Sequence, residues 1–132
     1  NDLMLQMDIE GDEYEVINSL NDKTLNKFRI IIIEFHQLHY LFDNFMFKKI
    51  DKAFKKIMKL FHCTHIHPNN SVDFIFKDKN IIIPPVLEFS FLRKDRGNII
   101  DKNLSFPSKL DHPNILNKRD IKLPICWYKS IN

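Results

Sequence analysis

The sequence predicts an α/β fold in which helices pack on a sheet of about four strands and an extended C-terminal tail follows. Two strongly apolar strand-like segments, residues 3–9 and 28–35, alternate with helix-like segments. Further short strand-like segments follow the second, longer helix pattern closely. At 132 residues, with 44% hydrophobic and 28% charged residues, the chain has the length and composition of one domain with its own core.

The first half of the chain carries the clearest strand pattern. Residues 3–9, LMLQMDI, are nearly continuously apolar, which is typical of a strand buried on both faces. Gly11 ends this run, and the acids around it suit the first turn of a short helix in DEYEVINSL. Residues 18–27 are predicted to be a polar connection. Residues 28–35, FRIIIIEF, place four isoleucines between two phenylalanines and predict a strand.

The second half is predicted to contain one long helix, several short strands and a tail. In residues 41–61 apolar residues recur at three- and four-residue steps with lysines between them, which predicts an amphipathic helix. CTHIH predicts a short strand, and DFIFKDK predicts a second short strand or the start of a hairpin. VLEFSFLR (86–93) alternates like a half-buried strand. Periodicity then ends, so we divide the chain into a domain at 1–95 and a tail at 96–132 that docks through Trp127.

Charge and composition argue against several classes of function. The formal net charge is +3, and the densest lysine stretch, residues 48–59, has helical spacing, so it is interpreted as a solvated helix face. We therefore expect no nucleic-acid partner. The apolar runs are far shorter than a membrane span, so we expect no membrane partner. Two cysteines do not suggest a disulfide framework, which favours a cytoplasmic location.

Acidic motifs stand where the first two predicted strands end. MDIEGDEYE puts Asp8 and Glu10 after the first strand, and IEFH puts Glu34 and His36 at the end of the second. Ligands of open α/β sheets bind at the carboxyl ends of strands, where such a group of acids and an imidazole could orient a hydroxyl and take its proton. The alternative is structural: Asp8 caps the next helix, nearby acids complement its dipole, and backbone donors satisfy Glu34 or His36.

The two motifs at this spacing resemble the later half of the FkbM-like, S-adenosylmethionine-dependent methyltransferases. In that family a strand ending in Asp-(Val/Ile)-Glu-Gly-x-Glu precedes a helix and a strand ending in Glu-hydrophobic-His. The downstream stretches HPNN, IPPVLEFSFLRKD and FPSKLDHPN…LP…WY resemble related members in the same order. The resemblance thus covers nearly the whole chain.

The resemblance implies a partial class I methyltransferase (Rossmann-like) sheet in which residues 3–9, 28–35 and 63–67 are the fourth, fifth and sixth strands. Residues 86–93 would be the last, antiparallel strand. It implies methyl transfer, with a hydroxyl oxygen of a glycan or other polar small molecule as the expected acceptor. The residues expected to be catalytic are Asp8, Glu10, Glu34 and His36. Those expected to bind the acceptor are His67, Asn69 and Asn70.

The cofactor motif of that family is missing from this chain. The cofactor is cradled there by a glycine-rich turn after the first strand, whereas the only glycines here are Gly11 and Gly97. We therefore expect a C-terminal fragment of a methyltransferase that binds S-adenosylmethionine weakly or not at all by itself, with no cofactor-binding residue assigned. The start at Asn1, almost directly in a strand, suggests a piece of a longer protein. The alternative is a non-catalytic α/β protein-interaction module.

Two metal sites and one interface are further alternatives. Cys63, His65 and His67 alternate as zinc ligands can, but no fourth ligand is evident, and Cys63 suits the core. Magnesium between Asp8 and Glu34 would have oxygen ligands, by analogy with metal-dependent O-methyltransferases, but the resemblance does not require it. We predict no metal. The free edge of strand 3–9 predicts a homodimer or a covered edge.

Overall fold

The computed structural model describes residues 2–72, 75–78, 81–98 and 105–129. Its strands, in chain order, are β1 Leu3–Met7, β2 Phe28–Phe35, β3 Phe61–Pro68, β4 Phe76–Asp78, β5 Ile81–Ile83 and β6 Leu87–Arg93. Its α-helices are α1 Glu13–Ser19, α2 Asp22–Leu25 and α3 Asn44–Leu60, and 3-10 turns span Leu38–Phe42, Lys94–Arg96 and Ile125–Trp127.

Four strands form the central sheet in the order β1-β2-β6-β3. β1 is parallel to β2, whereas β6 is antiparallel to both of its neighbours, β2 and β3. β4 and β5 form a separate antiparallel pair; the predicted strand at 73–79 falls partly outside the described residues. The structure confirms the predicted α/β class at the level of a mixed four-stranded sheet flanked by helices.

α1 and α3 cover one face of this sheet. β2 alternates, and its odd-numbered residues Ile31, Ile33 and Phe35 are fully buried toward the helices. The Phe35 ring contacts the Tyr14 ring of α1 at 5.2 Å and the Phe54 ring of α3 at 4.7 Å between centroids. Aromatic packing of this kind stabilises a core beyond the burial of its area. This part of the core therefore lies between β2 and the two helices, and the core includes Met7 and Phe35, the last residues of β1 and β2.

α3 begins at Asn44, directly after the capping residue Asp43. The Asp43 side chain accepts hydrogen bonds from the backbone N–H groups of Phe45 (3.0 Å) and Met46 (2.8 Å), which satisfies donors that an uncapped helix would leave free. Ile50, Ala53 and Ile57 are buried on its inner face, as the three- and four-residue spacing predicted. None of the helices in the described ranges is long and apolar enough to cross a bilayer.

Two expectations for the first 30 residues were wrong. β1 is not buried on both faces: Leu3 is 48% exposed and Met4 58% exposed, because β1 is an edge strand of the sheet. The predicted polar connection at 18–27 contains the short helix α2. The Asn21 side chain caps this helix by accepting the Thr24 N–H at 2.8 Å.

The described part of the tail, residues 105–129, docks along β3 and the β4–β5 pair. Trp127 Nε1 donates to the Ile82 carbonyl at 2.9 Å, and its ring packs against the core. Phe106, Ile121 and Leu123 bury their side chains at the same surface. Burial of these few apolar residues stabilises the docking of an otherwise irregular segment.

Candidate active site at the ends of two parallel strands

Parallel pairing brings the two acidic motifs together. Met7 is in register with Ile33, so Asp8 and Glu34, one residue further along each strand, lie at the same edge of the sheet. His36 follows two residues after Glu34, beyond the end of β2. One ligand-type atom from each of Asp8, Glu34 and His36 lies within 4.8 Å of the others. We call Asp8, Glu10, Glu13, Glu34 and His36 the His36 cluster.

The imidazole of His36 is the centre of this cluster. Its Nδ1 lies 2.9 Å from Glu13 Oε1. Its Nε2 lies 3.4 Å from Glu10 Oε2, 3.7 Å from Glu34 Oε2 and 3.8 Å from Asp8 Oδ1. The His36 side chain is only 13% exposed, whereas Asp8 and Glu10 are 55% and 85% exposed. The cluster thus has a part-buried imidazole and an exposed carboxylate rim.

Glu13 fixes which ring nitrogen of His36 carries a proton. Glu13 is completely buried, and its Oε1 also accepts hydrogen bonds from the backbone N–H groups of Ile9 (3.2 Å) and Gly11 (3.0 Å). A carboxylate oxygen only accepts, so His36 Nδ1 donates to it, and Nε2 is directed toward the other three carboxylates. The sequence pattern placed Glu13 only among the acids around Gly11 that suit the first turn of the helix. The signal for its role was the last position of the Asp-x-Glu-Gly-x-Glu motif.

Unusual backbone conformations lie on both loops of the site. Glu10 and Gln37 adopt positive φ angles of 59° and 60°, and Gly11 adopts 116°. A Cβ on Gly11 would lie 2.6 Å from Gln37 Nε2, so the loops after β1 and β2 touch at this glycine. Residues other than glycine rarely adopt such angles, and they persist only where surrounding contacts enforce them.

Tyr14 ties α1 to the same loop. Its hydroxyl donates to the His36 carbonyl at 2.5 Å, which fixes the backbone that carries the imidazole. Burial raises the pKa of the Tyr14 hydroxyl, and the neighbouring Glu13 carboxylate raises it further. Tyr14 therefore remains a neutral donor and acts as a support of the cluster.

Asn69 is the predicted acceptor-binding residue that reaches the cluster. Its Nδ2 donates to Glu34 Oε1 at 2.8 Å, and its backbone N–H donates to the Val86 carbonyl at 3.1 Å. Burial raises the pKa of the Glu34 carboxyl; the Asn69 hydrogen bond opposes this shift, and the Asp8 charge adds to it. A cavity of about 290 Å³ opens beside these groups, lined by Gln6, Met7, Asp8, Ile32, Glu34, Asn69, Glu88 and Asn114.

His67 and Asn70 lie apart from the cluster and hold the tail. Asn70 is 3% exposed; its amide accepts from Ile115 N–H at 2.8 Å and donates to the carbonyls of Ile115 (3.1 Å) and Lys118 (3.3 Å). His67 Nε2 lies 3.7 Å from Asp120 Oδ2. The structure thus gives both side chains tail contacts, and neither lines the cavity.

The zinc alternative on β3 has no geometric support. The register shifts between Cys63 and His65, so the simple alternation of the three candidate ligands is broken. His65 Nε2 pairs with Asp111 Oδ1 at 3.0 Å. Burial raises the pKa of the Cys63 thiol to about 11, so it is protonated at neutral pH and behaves as a core residue. Over the described ranges, Cys63, His65 and His67 do not form a ligand group.

The residues present do not form a complete site for S-adenosylmethionine. A glycine-rich turn after a strand normally lets the backbone approach such a cofactor. Gly11 stands in the β1–α1 turn, but Gln37 occupies the space next to it, and Gly97 lies beyond the far end of β6. No Gly-x-Gly occurs in the sequence. The described part of the chain therefore presents an acidic cluster and a polar cavity, and neither of its two glycines lies in a glycine-rich turn.

Comparison with known proteins gives one match. The family model described as Methyltransferase FkbM domain matches residues 2–64, a segment that begins before β1 and ends in β3. No curated protein and no solved structure matches the chain. The matched segment contains all five residues of the His36 cluster. Residues 2–64 are thus similar to the FkbM methyltransferase domain, as the MDIEG and IEFH motifs predicted.

Proposed function

We propose that the chain forms the acceptor side of an S-adenosylmethionine-dependent methyltransferase and that methyl transfer goes to a hydroxyl oxygen. The family match over residues 2–64 supports the reaction class. The observation that carries the choice of site is the His36 cluster, in which four carboxylates gather around one imidazole at the ends of parallel strands. Such strand ends are where open α/β sheets bind their ligands. S-adenosylmethionine would supply the methyl group to the acceptor bound at this cluster.

The exposed carboxylates are the groups that an acceptor can touch. A hydroxyl that is methylated on oxygen must give up its proton, and a base within hydrogen-bonding reach assists that loss. Asp8 and Glu10 form the exposed rim of the cluster, whereas His36 Nε2 is enclosed by carboxylates. We therefore assign Asp8 or Glu10 as the proton acceptor. His36, held by Glu13, is assigned as the residue that positions them.

The lining of the cavity favours a neutral, hydroxyl-rich acceptor such as a glycan residue or a polar metabolite. Asp8, Glu34 and Glu88 present carboxylate oxygens that accept hydrogen bonds from hydroxyls. Their negative charge disfavours an anionic acceptor. The volume of about 290 Å³ is at the small end of small-molecule sites and suits a ligand of monosaccharide size.

The test is methyl transfer by the protein expressed from its complete reading frame. With methyl-labelled S-adenosylmethionine, we expect label on neutral polyhydroxyl acceptors, and a kcat about 10²- to 10⁴-fold lower for Asp8→Asn if Asp8 is the proton acceptor. If Glu10 is the proton acceptor, the same loss of kcat is expected for Glu10→Gln instead. The matched control is Asp12→Asn, because the Asp12 side chain makes no capping hydrogen bond to α1. Transfer to amines instead of hydroxyls, or an unchanged kcat in both Asp8→Asn and Glu10→Gln, would refute the proposal.

The exposed edge of β1 supports a second candidate, a protein-interaction module or homodimer. The apolar side chains of Leu3 and Met4 are half-exposed on this edge strand. An unpaired apolar edge is a template for association. Light scattering of the purified chain should give a dimer that Met4→Lys dissociates; a monomer at high concentration would exclude the homodimer. Methyl transfer that persists in the monomeric variant would show that the two functions are independent.

A further inference from the structure

We propose that the His36 cluster binds one divalent metal ion, with the carboxylates of Asp8 and Glu34 and Nε2 of His36 as its protein ligands. The sequence patterns predicted no metal, and the family match assigns none. The evidence is the convergence of one donor atom from each residue: Nε2 lies 3.7 Å from Glu34 Oε2 and 3.8 Å from Asp8 Oδ1. All three donors lie within 4.8 Å of one another.

Charge in the cluster is unbalanced without a cation. Four carboxylates surround the imidazole, and in the described ranges each of them has His36 as its ion-pair partner, with no lysine or arginine paired to any of them. Even a doubly protonated imidazole would leave three negative charges uncompensated. Two of these carboxylates are largely removed from water, since Glu13 is fully buried and Glu34 is 18% exposed. Buried charge of one sign is costly unless a counter-charge is present.

The outer contacts of the cluster aim its donor atoms inward. Glu13 Oε1 holds His36 Nδ1, which leaves Nε2 pointing at the carboxylates. Asn69 holds Glu34 Oε1, which leaves Glu34 Oε2 facing Nε2. A buried carboxylate behind a histidine is the usual support of a metal-bound imidazole.

Glu13 gives an independent indication of a missing positive charge. Its side chain is completely buried, and its second oxygen, Oε2, has no hydrogen-bond partner among the described residues. Two backbone N–H groups donate to Oε1, and among the described residues the imidazole of His36 is the one group paired with this carboxylate that can carry a positive charge. A cation on the far side of that ring, at Nε2, would polarise the ring and provide this compensation.

Two of the three donor–donor separations, those from His36 Nε2, are close to the separations of a bound state. Adjacent donors about 2.1 Å from an ion lie about 3.0 Å apart in octahedral and about 3.4 Å apart in tetrahedral geometry. The present 3.7 Å and 3.8 Å would close by small rotations of the exposed Asp8 side chain and of Glu34. Two carboxylate oxygens with one imidazole nitrogen suit Fe²⁺ or Zn²⁺ better than Mg²⁺ or Ca²⁺, which prefer oxygen alone, and Mn²⁺, a harder ion, serves as the spectroscopic probe of the site.

Three protein ligands leave open positions on the ion that face the cavity. In the proposed reaction an acceptor hydroxyl would bind there and become more acidic, and Glu10, which is not a ligand, would take its proton. This use of the ion rests on the proposed function. The site itself rests only on the geometry and charge of the cluster.

The test is a titration of metal-free protein with Mn²⁺. Binding is measured by electron paramagnetic resonance as the loss of the signal of free Mn²⁺, and Zn²⁺ and Mg²⁺ are then added as competitors. We expect one ion per chain, displaced by Zn²⁺ more readily than by Mg²⁺. His36→Ala and Glu34→Gln should each raise Kd at least tenfold, and Glu13→Gln by about 10- to 100-fold. The matched control is Glu15→Gln: Glu15 pairs with Lys49 on the outer face of α1, so its Kd should not change.

A second measurement does not depend on the variants folding. In the wild-type protein, Mn²⁺ should broaden the imidazole NMR resonances of His36 strongly and those of His65, on β3, weakly. Failure to bind one ion, equal Kd in His36→Ala and the control, or broadening centred on another histidine would overturn the proposal. Both metal-binding measurements are made without cofactor or acceptor. A failure to bind metal is therefore distinguished from a failure to transfer a methyl group to hydroxyls.

Discussion

Replacing Glu13 by alanine should destabilise the protein far more than any surface change. Glu13 Oε1 accepts three hydrogen bonds, from Ile9 N–H, Gly11 N–H and His36 Nδ1. The side chain has no exposed surface, so water cannot simply replace it. Its loss would leave the donors of both site loops without an acceptor.

The size of the effect follows from these three contacts. A buried donor left without a partner costs about 1–3 kcal/mol. The Gly11 N–H is buried, whereas the Ile9 N–H and His36 are only part-buried and recover some of this through water. We therefore expect Glu13→Ala to lower the free energy of unfolding by about 3–5 kcal/mol, a large share of the roughly 5–15 kcal/mol typical of a domain.

Urea denaturation followed by circular dichroism measures this difference. The matched control is Glu15→Ala two residues away, where the carboxylate is 68% exposed and pairs with Lys49 at 2.9 Å. An exposed ion pair contributes about 1 kcal/mol or less, so the control should change little. If Glu13→Ala lowered stability no more than Glu15→Ala, the buried-acceptor role of Glu13 would be wrong.

Three further outcomes are expected. Gly11→Ala should cost about 1–3 kcal/mol in urea denaturation, because the residue has φ 116° and a Cβ would press on Gln37; no loss would refute the contact between the loops. Iodoacetamide at pH 8 should alkylate the exposed Cys126 long before Cys63, because only the thiolate reacts and the pKa of Cys63 is raised to about 11. The alkylation rate of Cys63 should rise about tenfold per pH unit up to that pKa. Equal rates for the two cysteines by mass spectrometry would contradict this. Asn70→Ala should speed tryptic cleavage of the tail, because it removes the three hydrogen bonds from the Asn70 side chain to the tail. An unchanged cleavage pattern would show that docking of the tail does not depend on these hydrogen bonds.

Local patterns predicted the elements that carry their own periodicity. β2 and α3 could be located because the isoleucine run and the three- and four-residue spacing are properties of neighbouring residues. The exposure of β1 could not be predicted in this way. The apolar pattern predicted that Leu3 and Met4 are buried, and they are exposed because β1 lies at the edge of the sheet.

The sequence by itself determined that carboxylates and a histidine stand where two strands end, and that the segment resembles FkbM methyltransferases. Only the tertiary structure decided what these side chains do to one another. Glu13 lies 23 residues from His36 along the chain, and Asn69 lies 35 residues from Glu34. Whether a carboxylate decorates a helix or holds an imidazole depends on burial and on a partner from another element, and local pattern carries neither.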